Sequence, residues 1–360
     1  MREADVIVVG AGMAGASLAA ELAPGTRVIV LEAEDAPGRH TTGRSAALFS
    51  EIYGNAVIRA LTRASREGLS PFMTPRDCLH IATPEQLERL EAFAGLPDVA
   101  ASSRQVTPDE ALSLCPMLKG EVLAGALAEL NAYDIDVDAL HQSYLRRIRA
   151  SGGEVVCDAR VEAGERADGL WRVTAGGEEF RAPVLVNAAG AWGDVVAGAC
   201  GVAPLGLEPK RRTIAIVPAP ASCPDSPFVV DVDEDFYFKA EAGRVLVSPA
   251  DETPSAPCDA APEELDIAIA IDRVQGVADL PVARVLASWA GLRTFAPDRT
   301  PVLGFASDAE GFFWCVGQGG YGIQTAPAMG RLGAALAQGR GVPEGLAEVD
   351  VAALGAGRFS

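Results

Sequence analysis

The sequence predicts an α/β protein in which a nucleotide-binding domain is interleaved with a second, α+β domain. Three observations predict it: the glycine fingerprint Gly10-Ala-Gly-Met-Ala-Gly15 after an apolar run, a second apolar run that ends on Glu32, and the strand-forming run Phe313–Val316 before a late glycine-rich turn. Strand, glycine turn, helix and acid-terminated strand in this order are typical of a Rossmann-type unit, which binds a dinucleotide.

Each position of the fingerprint has its own predicted role. Gly10 permits the tight turn after the first strand, Gly12 lets the backbone approach the phosphates, and Gly15 lets helix and strand pack closely. Glu32 follows Gly10 by 22 residues and is placed to accept hydrogen bonds from the adenosine ribose. The elements predicted for this unit are strand Val6–Val9, helix Met13–Ala23 and strand Val28–Glu32.

The rest of the chain alternates between two patterns. Residues 36–46 are rich in glycine and hydroxyl side chains, which predicts a loop with many donors. Short Pro-punctuated pieces from Ser70 to about Asn131 indicate an inserted domain, and alternating strands beyond Gly201 predict an antiparallel sheet in that domain. The main predicted elements are helix Asp136–Ala150, strands Val184–Ala188, Thr213–Val217, Phe228–Val232, Phe236–Lys239 and Val245–Ser248, and helices Pro262–Val277 and Ala328–Gln338.

Composition and charge exclude several classes of partner. Acidic residues outnumber basic ones 49 to 30, a net charge of −19, which argues against nucleic acid. The longest apolar runs have the length of strands, so no membrane span is predicted. Because a signal peptide would have to include the first nucleotide-binding strand, which starts near Asp5, we predict a cytoplasmic location.

The cysteines and histidines predict a reducing compartment and no metal site. The seven cysteines are scattered and form no CxxC pair, and no histidine has a second one at helical spacing. We predict that His141 lies on the polar side of its amphipathic helix. These residues are Cys78, Cys115, Cys157, Cys200, Cys223, Cys258 and Cys315, with His40, His80 and His141.

Blocks of sequence along almost the whole chain carry a resemblance to a known family. They are His40-Thr-Thr-Gly-Arg-Ser-Ala-Ala47, Asp134-Ile-Asp-Val-Asp-Ala-Leu-His-Gln142, Val186-Asn-Ala-Ala-Gly-Ala-Trp192, Pro209-Lys-Arg-Arg212, Trp289-Ala-Gly-Leu-Arg293, Gly311-Phe-Phe-Trp314 and Gln318-Gly-Gly-Tyr-Gly-Ile-Gln324. In these blocks the chain resembles the FAD-dependent amino acid oxidoreductases of the D-amino acid oxidase/glycine oxidase family. Within that family it looks most like D-arginine dehydrogenase.

The resemblance implies a glutathione-reductase-like, Rossmann-type FAD-binding domain with an interleaved α+β substrate domain on a mixed or antiparallel sheet. The FAD domain would comprise residues 1–70, 132–202 and 286–360, and the substrate domain residues 71–131 and 203–285. FAD would be bound noncovalently. The implied FAD-binding residues are Gly10, Gly12, Met13, Ala14, Gly15, Glu32, Ala33, Thr42, Gly43, Arg44, Ser45, Ala46, Val161, Ala189, Gly190, Trp192, Gly291, Gly319, Gly320, Tyr321, Gly322, Ile323 and Gln324.

The resemblance also implies a set of substrate-binding residues. An amino acid carboxylate suits a planar, permanently charged arginine, and Arg293 matches the family's carboxylate-binding arginine. Arg212 matches a second substrate-facing arginine; a solvated basic cluster or an interdomain ion pair is its alternative. Tyr53 and Tyr237 match tyrosines that close the pocket, although Tyr237 in a strand is also typical of core. Contacts to the substrate amine are implied for Gln324, which could instead cap the last helix, and for the Gly291 carbonyl.

Two positions depart from D-arginine dehydrogenase. Leu48 replaces a histidine, and Cys78 aligns near the glutamate that meets the cationic side chain. Because a buried guanidinium without an anionic partner is unfavourable, a preference for arginine should be lost. A shift of the alignment by one residue would instead bring Asp77 to the position of the glutamate. The predicted substrate is therefore an apolar or small D-amino acid.

The predicted activity is that of an FAD-dependent D-amino acid dehydrogenase or oxidase, which would convert its substrate to a 2-imino acid and then to a 2-oxo acid and ammonia. One alternative is oxidation of N-methyl or cyclic amino acids such as sarcosine or proline, or of glycine. Others are a non-catalytic FAD-carrying subunit of an amine dehydrogenase and an NAD-binding Rossmann protein. Oxygen, a quinone and other electron acceptors are all compatible with the sequence.

Overall fold

The computed structural model describes residues 1–221, 223 and 225–359. The strands of these residues are β1 (Arg2–Glu3), β2 (Val6–Val9), β3 (Val28–Leu31), β4 (Leu48–Phe49), β5 (Met73–Pro75), β6 (Cys78–Ala82), β7 (Ser103–Val106), β8 (Gly125–Glu129), β9 (Tyr133–Ile135), β10 (Glu154–Val156), β11 (Val161–Ala167), β12 (Leu170–Ala175), β13 (Glu178–Ala182), β14 (Val184–Asn187), β15 (Glu208–Pro218), β16 (Phe228–Asp231), β17 (Tyr237–Glu241), β18 (Arg244–Ser248), β19 (Thr253–Pro254), β20 (Ala287–Phe295), β21 (Val302–Phe305) and β22 (Phe312–Val316). The α-helices are α1 (Met13–Leu22), α2 (Ala56–Leu69), α3 (Leu87–Ala94), α4 (Pro97–Ala100), α5 (Pro108–Leu114), α6 (Val137–Ala150), α7 (Gly193–Ala199), α8 (Glu264–Val277) and α9 (Ala326–Ala337).

A sheet in the order β10-β3-β2-β14-β22-β21 forms the centre of the nucleotide-binding part. All neighbours in it are parallel except β21, which runs antiparallel to β22. Every residue of β2 and β3 is apolar and buried, as expected for parallel strands that are covered on both faces. Helices α1, α6 and α9 contribute to the hydrophobic core on one face.

A second, smaller sheet in the order β1-β13-β12-β11 supplies the cover on the opposite face. Trp171 of β12 and Phe180 of β13 pack in one buried cluster with Phe312 and Trp314 of the central sheet. The rings of Trp171 and Phe312 meet edge to face at 5.6 Å. The central sheet is therefore held between a helical layer and a β layer.

The substrate part contains a long mixed sheet. It is built on β15, which pairs with β20 along one edge and with β18 and the short β19 along the other. The sheet continues through β17, β16, β6, β8 and β7, and all neighbours are antiparallel except β16 and β6. Residues of α5 and α8 pack in the core on one face. On the other face, Arg212 and Ile214 of β15 line a large cavity.

The predicted fold class is confirmed, and most predicted elements match the structure to within two residues. Asp136 is the N-cap of α6, where its side chain accepts a hydrogen bond from the amide of Ala139. Strand β15 begins at Glu208, five residues earlier than predicted. The prediction for His141 was wrong, because this side chain is buried. None of the helices in the described part of the chain is both long and apolar enough to cross a bilayer.

The division of the chain into two domains stays a prediction, with one observation at its last boundary. Strand β20 lies in the range 286–360, which the sequence assigns to the FAD domain, but it pairs along its whole length with β15 of the long mixed sheet. This strand carries Gly291 and Arg293. It therefore joins the substrate sheet to the chain that leads into the last glycine turn.

Candidate active site

A cavity of about 260 Å³ lies between the central sheet and the long mixed sheet. Most of the predicted site residues line it. They are Gly10, Gly12, Met13, Ala14, Glu32, Ala33, Thr42, Arg44, Ser45, Ala46, Val161, Ala189, Gly190, Trp192, Arg212, Gly291, Arg293, Gly319, Gly320, Gly322 and Ile323. The predicted residues outside this lining are Gly15, Gly43, Tyr53, Tyr237, Tyr321 and Gln324.

The three glycines of the fingerprint are needed for different reasons. Gly10 has φ +98°, and a Cβ atom on it would lie 2.5 Å from the carbonyl oxygen of Ala188. On Gly15 a Cβ atom would lie 1.9 Å from the carbonyl oxygen of Gly10, so helix and strand need this glycine in order to pack. On Gly12 it would meet only the hydroxyl of Thr42, at an ordinary 3.4 Å. The protein's own packing does not require Gly12, which fits its predicted role beside a phosphate.

The N-terminus of α1 opens on the cavity and is short of acceptors. Gly12 is the N-cap and provides no side-chain acceptor, and the first turn contains no acidic residue. The Thr42 hydroxyl accepts a hydrogen bond from the Met13 amide at 2.9 Å. The partial positive charge at a helix N-terminus favours an anion, so this end of α1 fits a pyrophosphate group.

Glu32 is held in place at the end of β3. Its Oε2 accepts from the amide of Ala11 at 2.9 Å and its Oε1 from the amide of Glu34 at 3.1 Å. A carboxylate has about four acceptor positions, so two remain for ribose hydroxyls. His141 supports the same turn, because its Nε2 lies 2.8 Å from the carbonyl oxygen of Ala11 and donates to it.

The donor-rich loop connects the two parts of the molecule. Thr41 donates through its hydroxyl to the carbonyl of Leu292 at 2.7 Å. Arg44 donates to the carbonyls of Ala260 and Ala290, both at 2.9 Å, and forms an ion pair with Asp259. The Arg44 guanidinium is thus occupied by protein groups, and its carbonyl accepts a hydrogen bond from Nε1 of Trp289 at 3.1 Å.

The last glycine turn packs closely against β20. Gly319 has φ +53°, and a Cβ atom on it would lie 2.3 Å from the ring of Phe295. On Gly320 it would lie 2.8 Å from Nη1 of Arg293. The ring of Tyr321 packs on that of Tyr53, with centroids 4.7 Å apart.

Arg293 and Tyr53 form a polar pair at one side of the cavity. Nη1 of Arg293 donates to the Tyr53 hydroxyl at 3.1 Å. Burial raises the pKa of Tyr53, so its phenol is neutral at physiological pH. No ion pair links Arg293 to an acidic residue in the described ranges. The arrangement leaves a half-buried positive charge to be neutralised by a ligand.

Arg212 lies opposite Gly291 in the pairing of β15 with β20. Its Nε donates to the Asp251 carbonyl at 2.8 Å, and its Nη2 lies 3.5 Å from a carboxylate oxygen of Glu252. The guanidinium is 6.0 Å from the ring centroid of Tyr237. This ion pair lies within the predicted substrate domain and is therefore not the interdomain pair that was the alternative, and Arg212 also lines the cavity.

Tyr237 has a buried hydroxyl with no hydrogen-bond partner among the described residues. Its ring stacks on that of Phe228, with centroids 5.3 Å apart. Burial lowers the pKa of Arg293 but the neighbouring Tyr53, Tyr237 and Tyr321 raise it, and on balance this pKa lies above its ordinary value. A buried polar group without a partner is costly, so the Tyr237 hydroxyl fits a ligand contact.

A contact with the substrate amine was predicted for Gln324, but this residue does not line the cavity. It is 3% exposed; its Oε1 accepts from the Ser50 amide at 3.2 Å, and its Nε2 donates to the Thr62 hydroxyl at 2.9 Å. Both ends of the amide are thus occupied by protein groups. These bonds connect the start of the last helix to α2 and to the residue after β4.

The two positions that depart from D-arginine dehydrogenase, 48 and 78, lie in one apolar cluster. Cys78 packs with Ala46, Ile214, Phe228, Tyr237 and Leu246, and Leu48 packs against the same group. Asp77 is exposed, and its carbonyl accepts a hydrogen bond from the Phe228 amide. The side chain at position 78, and not that at 77, is therefore part of the wall near Tyr237.

Sequence reasoning missed Ile214 and Thr41, which both line the cavity. Ile214 follows Arg212 by two residues in a strand, so the period-2 alternation predicts that both face the same side. Thr41 lies in the predicted donor loop, and only its tertiary contact with Leu292 distinguishes it from its neighbours.

Comparisons with known proteins agree with this geometry. A family model described as FAD dependent oxidoreductase, DAO, matches residues 5–336. The glycine oxidase of Geobacillus kaustophilus (strain HTA426) is 25% identical over 367 residues, which cover 93% of each chain.

Two solved structures have the same fold. The L-α-glycerophosphate oxidase of Mycoplasma pneumoniae, solved with FAD bound, superposes with a TM-score of 0.86 at 18% identity over 94% of this chain and 95% of its own. The L-proline dehydrogenase of P. horikoshii superposes with a TM-score of 0.83 at 18% identity over 99% and 98%. The match to the family model spans most of the sequence and includes the fingerprint, the donor loop and the last glycine turn. The chain belongs to the DAO family of FAD-dependent oxidoreductases.

Proposed function

We propose that this protein oxidises the Cα–N bond of a D-amino acid, as a dehydrogenase or oxidase, to a 2-imino acid that water converts to a 2-oxo acid and ammonia. FAD is held noncovalently, with its AMP end at the Gly10–Gly15 turn and Glu32 and its flavin end near Gly319–Gly322. FAD, when bound, would supply the two-electron acceptor for the hydride that leaves Cα.

The unpaired charge of Arg293 carries this proposal. A guanidinium that lines a cavity without an acidic partner among the described residues calls for an anionic ligand, and a carboxylate matches its planar donor geometry. Tyr53, a neutral phenol at 3.1 Å from Nη1, adds a donor at the same place. A protein that only carried flavin would have no use for this pair.

Other residues orient the rest of the substrate. Arg212 supplies a second positive charge on the cavity lining, and the unpartnered Tyr237 hydroxyl supplies a further donor. The carbonyl of Gly291 is an acceptor for the substrate amine. Together these groups fix the carboxylate and the amine, so that the Cα hydrogen has one orientation.

The apolar cluster around Cys78 supports an apolar or small side chain on the substrate. Leu48, Cys78, Phe228 and Ile214 belong to it, and the Glu129 carboxylate, which lies within 4.8 Å of the Cys78 thiol, is already hydrogen-bonded to His80 and Ser50. A cationic side chain placed there would lose its hydration without gaining a counter-ion. The resemblance to D-arginine dehydrogenase supports the D configuration, while these residues argue against a basic side chain.

A second candidate is oxidation of an N-methyl or cyclic amino acid. The similarity to a glycine oxidase and to an L-proline dehydrogenase favours it. The same carboxylate clamp serves both reactions, so the clamp does not distinguish them.

Anaerobic mixing with a substrate panel tests the proposal. The purified holoenzyme is mixed with D-, L- and N-methyl amino acids and with proline, and loss of the oxidised flavin's visible absorbance reports reduction. We expect D-leucine, D-methionine or D-alanine to bleach the flavin and D-arginine to do so poorly. Bleaching by N-methyl or cyclic amines alone would establish the second candidate. Tight FAD without bleaching by any amine would establish a flavin-carrying subunit.

The substitution Arg293→Met tests the clamp. Truncating one partner of a buried charge pair costs about 2–5 kcal/mol, so kcat/KM should fall by about 30-fold or more while FAD stays bound. Arg172→Met is the matched control, since Arg172 is an exposed arginine paired only with Asp168. Equal kinetics in both variants would refute the role of Arg293.

A further inference from the structure

Three buried ligand-type side chains meet on the face of the long mixed sheet that carries Cys78. Sγ of Cys78 lies 3.8 Å from Nε2 of His80, which lies 2.9 Å from Oε1 of Glu129. All three atoms lie within 4.8 Å of one another, and the residues are 1%, 7% and 7% exposed. None of the three belongs to the lining of the large cavity, and the proposed oxidation assigns no role to His80 or Glu129.

The backbone determines this arrangement. Cys78 and His80 are two residues apart on β6 and therefore point to the same face. Glu129 is the register partner of Cys78 on the antiparallel strand β8. The three side chains thus originate from adjacent positions of one rigid sheet, where a site is more precisely held than on loops.

We propose that Cys78, His80 and Glu129 bind one divalent ion of the Zn²⁺ type. With Zn–S of about 2.3 Å and Zn–N and Zn–O of about 2.0–2.2 Å, a tetrahedral site has ligand–ligand edges of about 3.3–3.6 Å. The two measured edges, 3.8 and 2.9 Å, lie on either side of that range. The third edge, between Sγ of Cys78 and the Glu129 carboxylate, is at most 4.8 Å, so these two groups approach each other by up to about 1 Å when all three atoms ligate one ion.

Charge balance also favours a divalent ion. A thiolate and a carboxylate together neutralise its two charges, and a neutral imidazole adds none. Binding releases the Cys78 thiol proton to solvent, because the thiolate is the ligand. In the protein without metal, the Glu129 carboxylate is buried beside His80 and the Ser50 hydroxyl, 2.7 Å away, and forms no ion pair with a described lysine or arginine.

The ion would have a structural role. The amide of Ser50 donates to Gln324, and its hydroxyl donates to Glu129, so the site is connected to the start of the last helix. Cys78 itself belongs to the apolar wall around Tyr237. The ion would hold β6 and β8 together behind that wall. The histidine and cysteine spacing along the chain predicted no metal, but the third ligand, Glu129, follows His80 by 49 residues, where local spacing carries no signal.

Cobalt binding to the holoenzyme, without an affinity tag and after dialysis against a chelator, tests the proposal. Tetrahedral Co²⁺ with a thiolate ligand absorbs at longer wavelengths than oxidised flavin. We expect this absorption to saturate at one Co²⁺ per chain and to be abolished by one equivalent of Zn²⁺. Absence of the absorption in the wild-type protein would overturn the proposal.

Variants locate the site. Cys78→Ser and His80→Gln should each weaken Zn²⁺ binding at least 100-fold, whereas Cys115→Ser, which removes an equally buried thiol in the same domain, should not. Retained FAD absorbance shows that each variant is folded. If His80→Gln does not fold, the effect of Zn²⁺ on the melting temperature of the other variants tests the site. Zn²⁺ should raise the melting temperature of the wild type and of Cys115→Ser but not that of Cys78→Ser. Undiminished cobalt absorption in Cys78→Ser would refute the assignment.

Discussion

Nη1 of Arg293 lies 2.8 Å from the position that a Cβ atom would take on Gly320, and the Tyr53 hydroxyl lies 3.1 Å from it. The last glycine turn therefore runs directly over the pair that we assign to the substrate carboxylate. The absence of a side chain at position 320 is a requirement of this pair and not of the turn itself, because φ of Gly320 lies outside the left-handed region.

The substitution Gly320→Ala should damage the clamp and leave the fold intact. The added methyl group displaces the guanidinium by a few tenths of an ångström or more, and misplacement of about 1 Å can cost about 100-fold in rate. We expect kcat/KM to fall at least 10-fold with FAD still bound. Gly357→Ala is the control, since nothing lies within 4 Å of its Cβ position. Unchanged kcat/KM in Gly320→Ala would contradict the assignment of Arg293.

Tyr237→Phe separates binding from stability. The Tyr237 hydroxyl has no partner among the described residues, so its removal eliminates a buried polar group that nothing compensates. We expect the unfolding free energy of the ligand-free enzyme to stay equal or rise. The KM for the substrate should rise about 10-fold, because a hydrogen bond to a charged group is worth about 1.5–3 kcal/mol. Kinetic constants and urea unfolding measure the two effects.

The control for this substitution is Tyr144→Phe, which removes a hydroxyl from a buried tyrosine in α6. Its kinetic constants should equal those of the wild type. An unchanged KM in Tyr237→Phe would mean that its hydroxyl faces no part of the substrate.

The elements of the nucleotide-binding unit could be predicted from the sequence because the signals for them are local. Strand Val6–Val9 has the predicted bounds, and the structure assigns the predicted packing role to Gly15. Such features depend on residues that are neighbours in the chain, and apolar periodicity with glycine positions captures them.

Side-chain partners across the chain were not predictable in this way. His141 was predicted on the polar side of its helix, but its side chain is buried and hydrogen-bonds with the carbonyl of Ala11, 130 residues away. Gln324 hydrogen-bonds with Ser50 and Thr62, more than 260 residues earlier. A single sequence contains no signal for such contacts, since they depend on how separate elements dock.

Gly12 and Gly15 provide a matched pair for the FAD site. A Cβ atom on Gly12 would make only an ordinary contact with Thr42, whereas on Gly15 it would overlap the Gly10 carbonyl oxygen at 1.9 Å. Gly12→Ala should therefore change the free energy of unfolding of the FAD-free protein by no more than about 0.5 kcal/mol. It should weaken FAD binding about 10-fold or more, because the methyl group occupies the path of the pyrophosphate.

Gly15→Ala should instead destabilise the protein with or without FAD, by about 1–3 kcal/mol or more, as overpacking does. Flavin fluorescence titration and thermal unfolding distinguish the two variants. Equal loss of stability in both would show that Gly12 serves packing and not the cofactor.

His141 supports the fingerprint turn through a bond that depends on its protonation. The ring is 3% exposed, and its Nε2 donates to the Ala11 carbonyl at 2.8 Å. Burial lowers the pKa of His141, which the hydrogen bond to Ala11 and the charges of Asp138 and Glu32 only partly oppose. The folded protein therefore holds this ring neutral under conditions in which the unfolded chain begins to protonate it.

The free energy of unfolding should therefore decrease as the pH is lowered, and His141→Gln should remove this part of the pH dependence. Between the lowered pKa of the folded state and the unfolded value of about 6.5, the unfolded chain binds more protons, so stability rises with pH and is complete above about 6.5. Glutamine keeps a donor for the Ala11 carbonyl and does not titrate. Melting temperatures from about pH 7 to about pH 5 should fall more steeply in the wild-type holoenzyme than in His141→Gln. Equal dependence of the melting temperature on pH in both proteins would mean that protonation of His141 is not coupled to unfolding. Release of FAD over the same pH range would show whether the fingerprint turn opens before the protein unfolds.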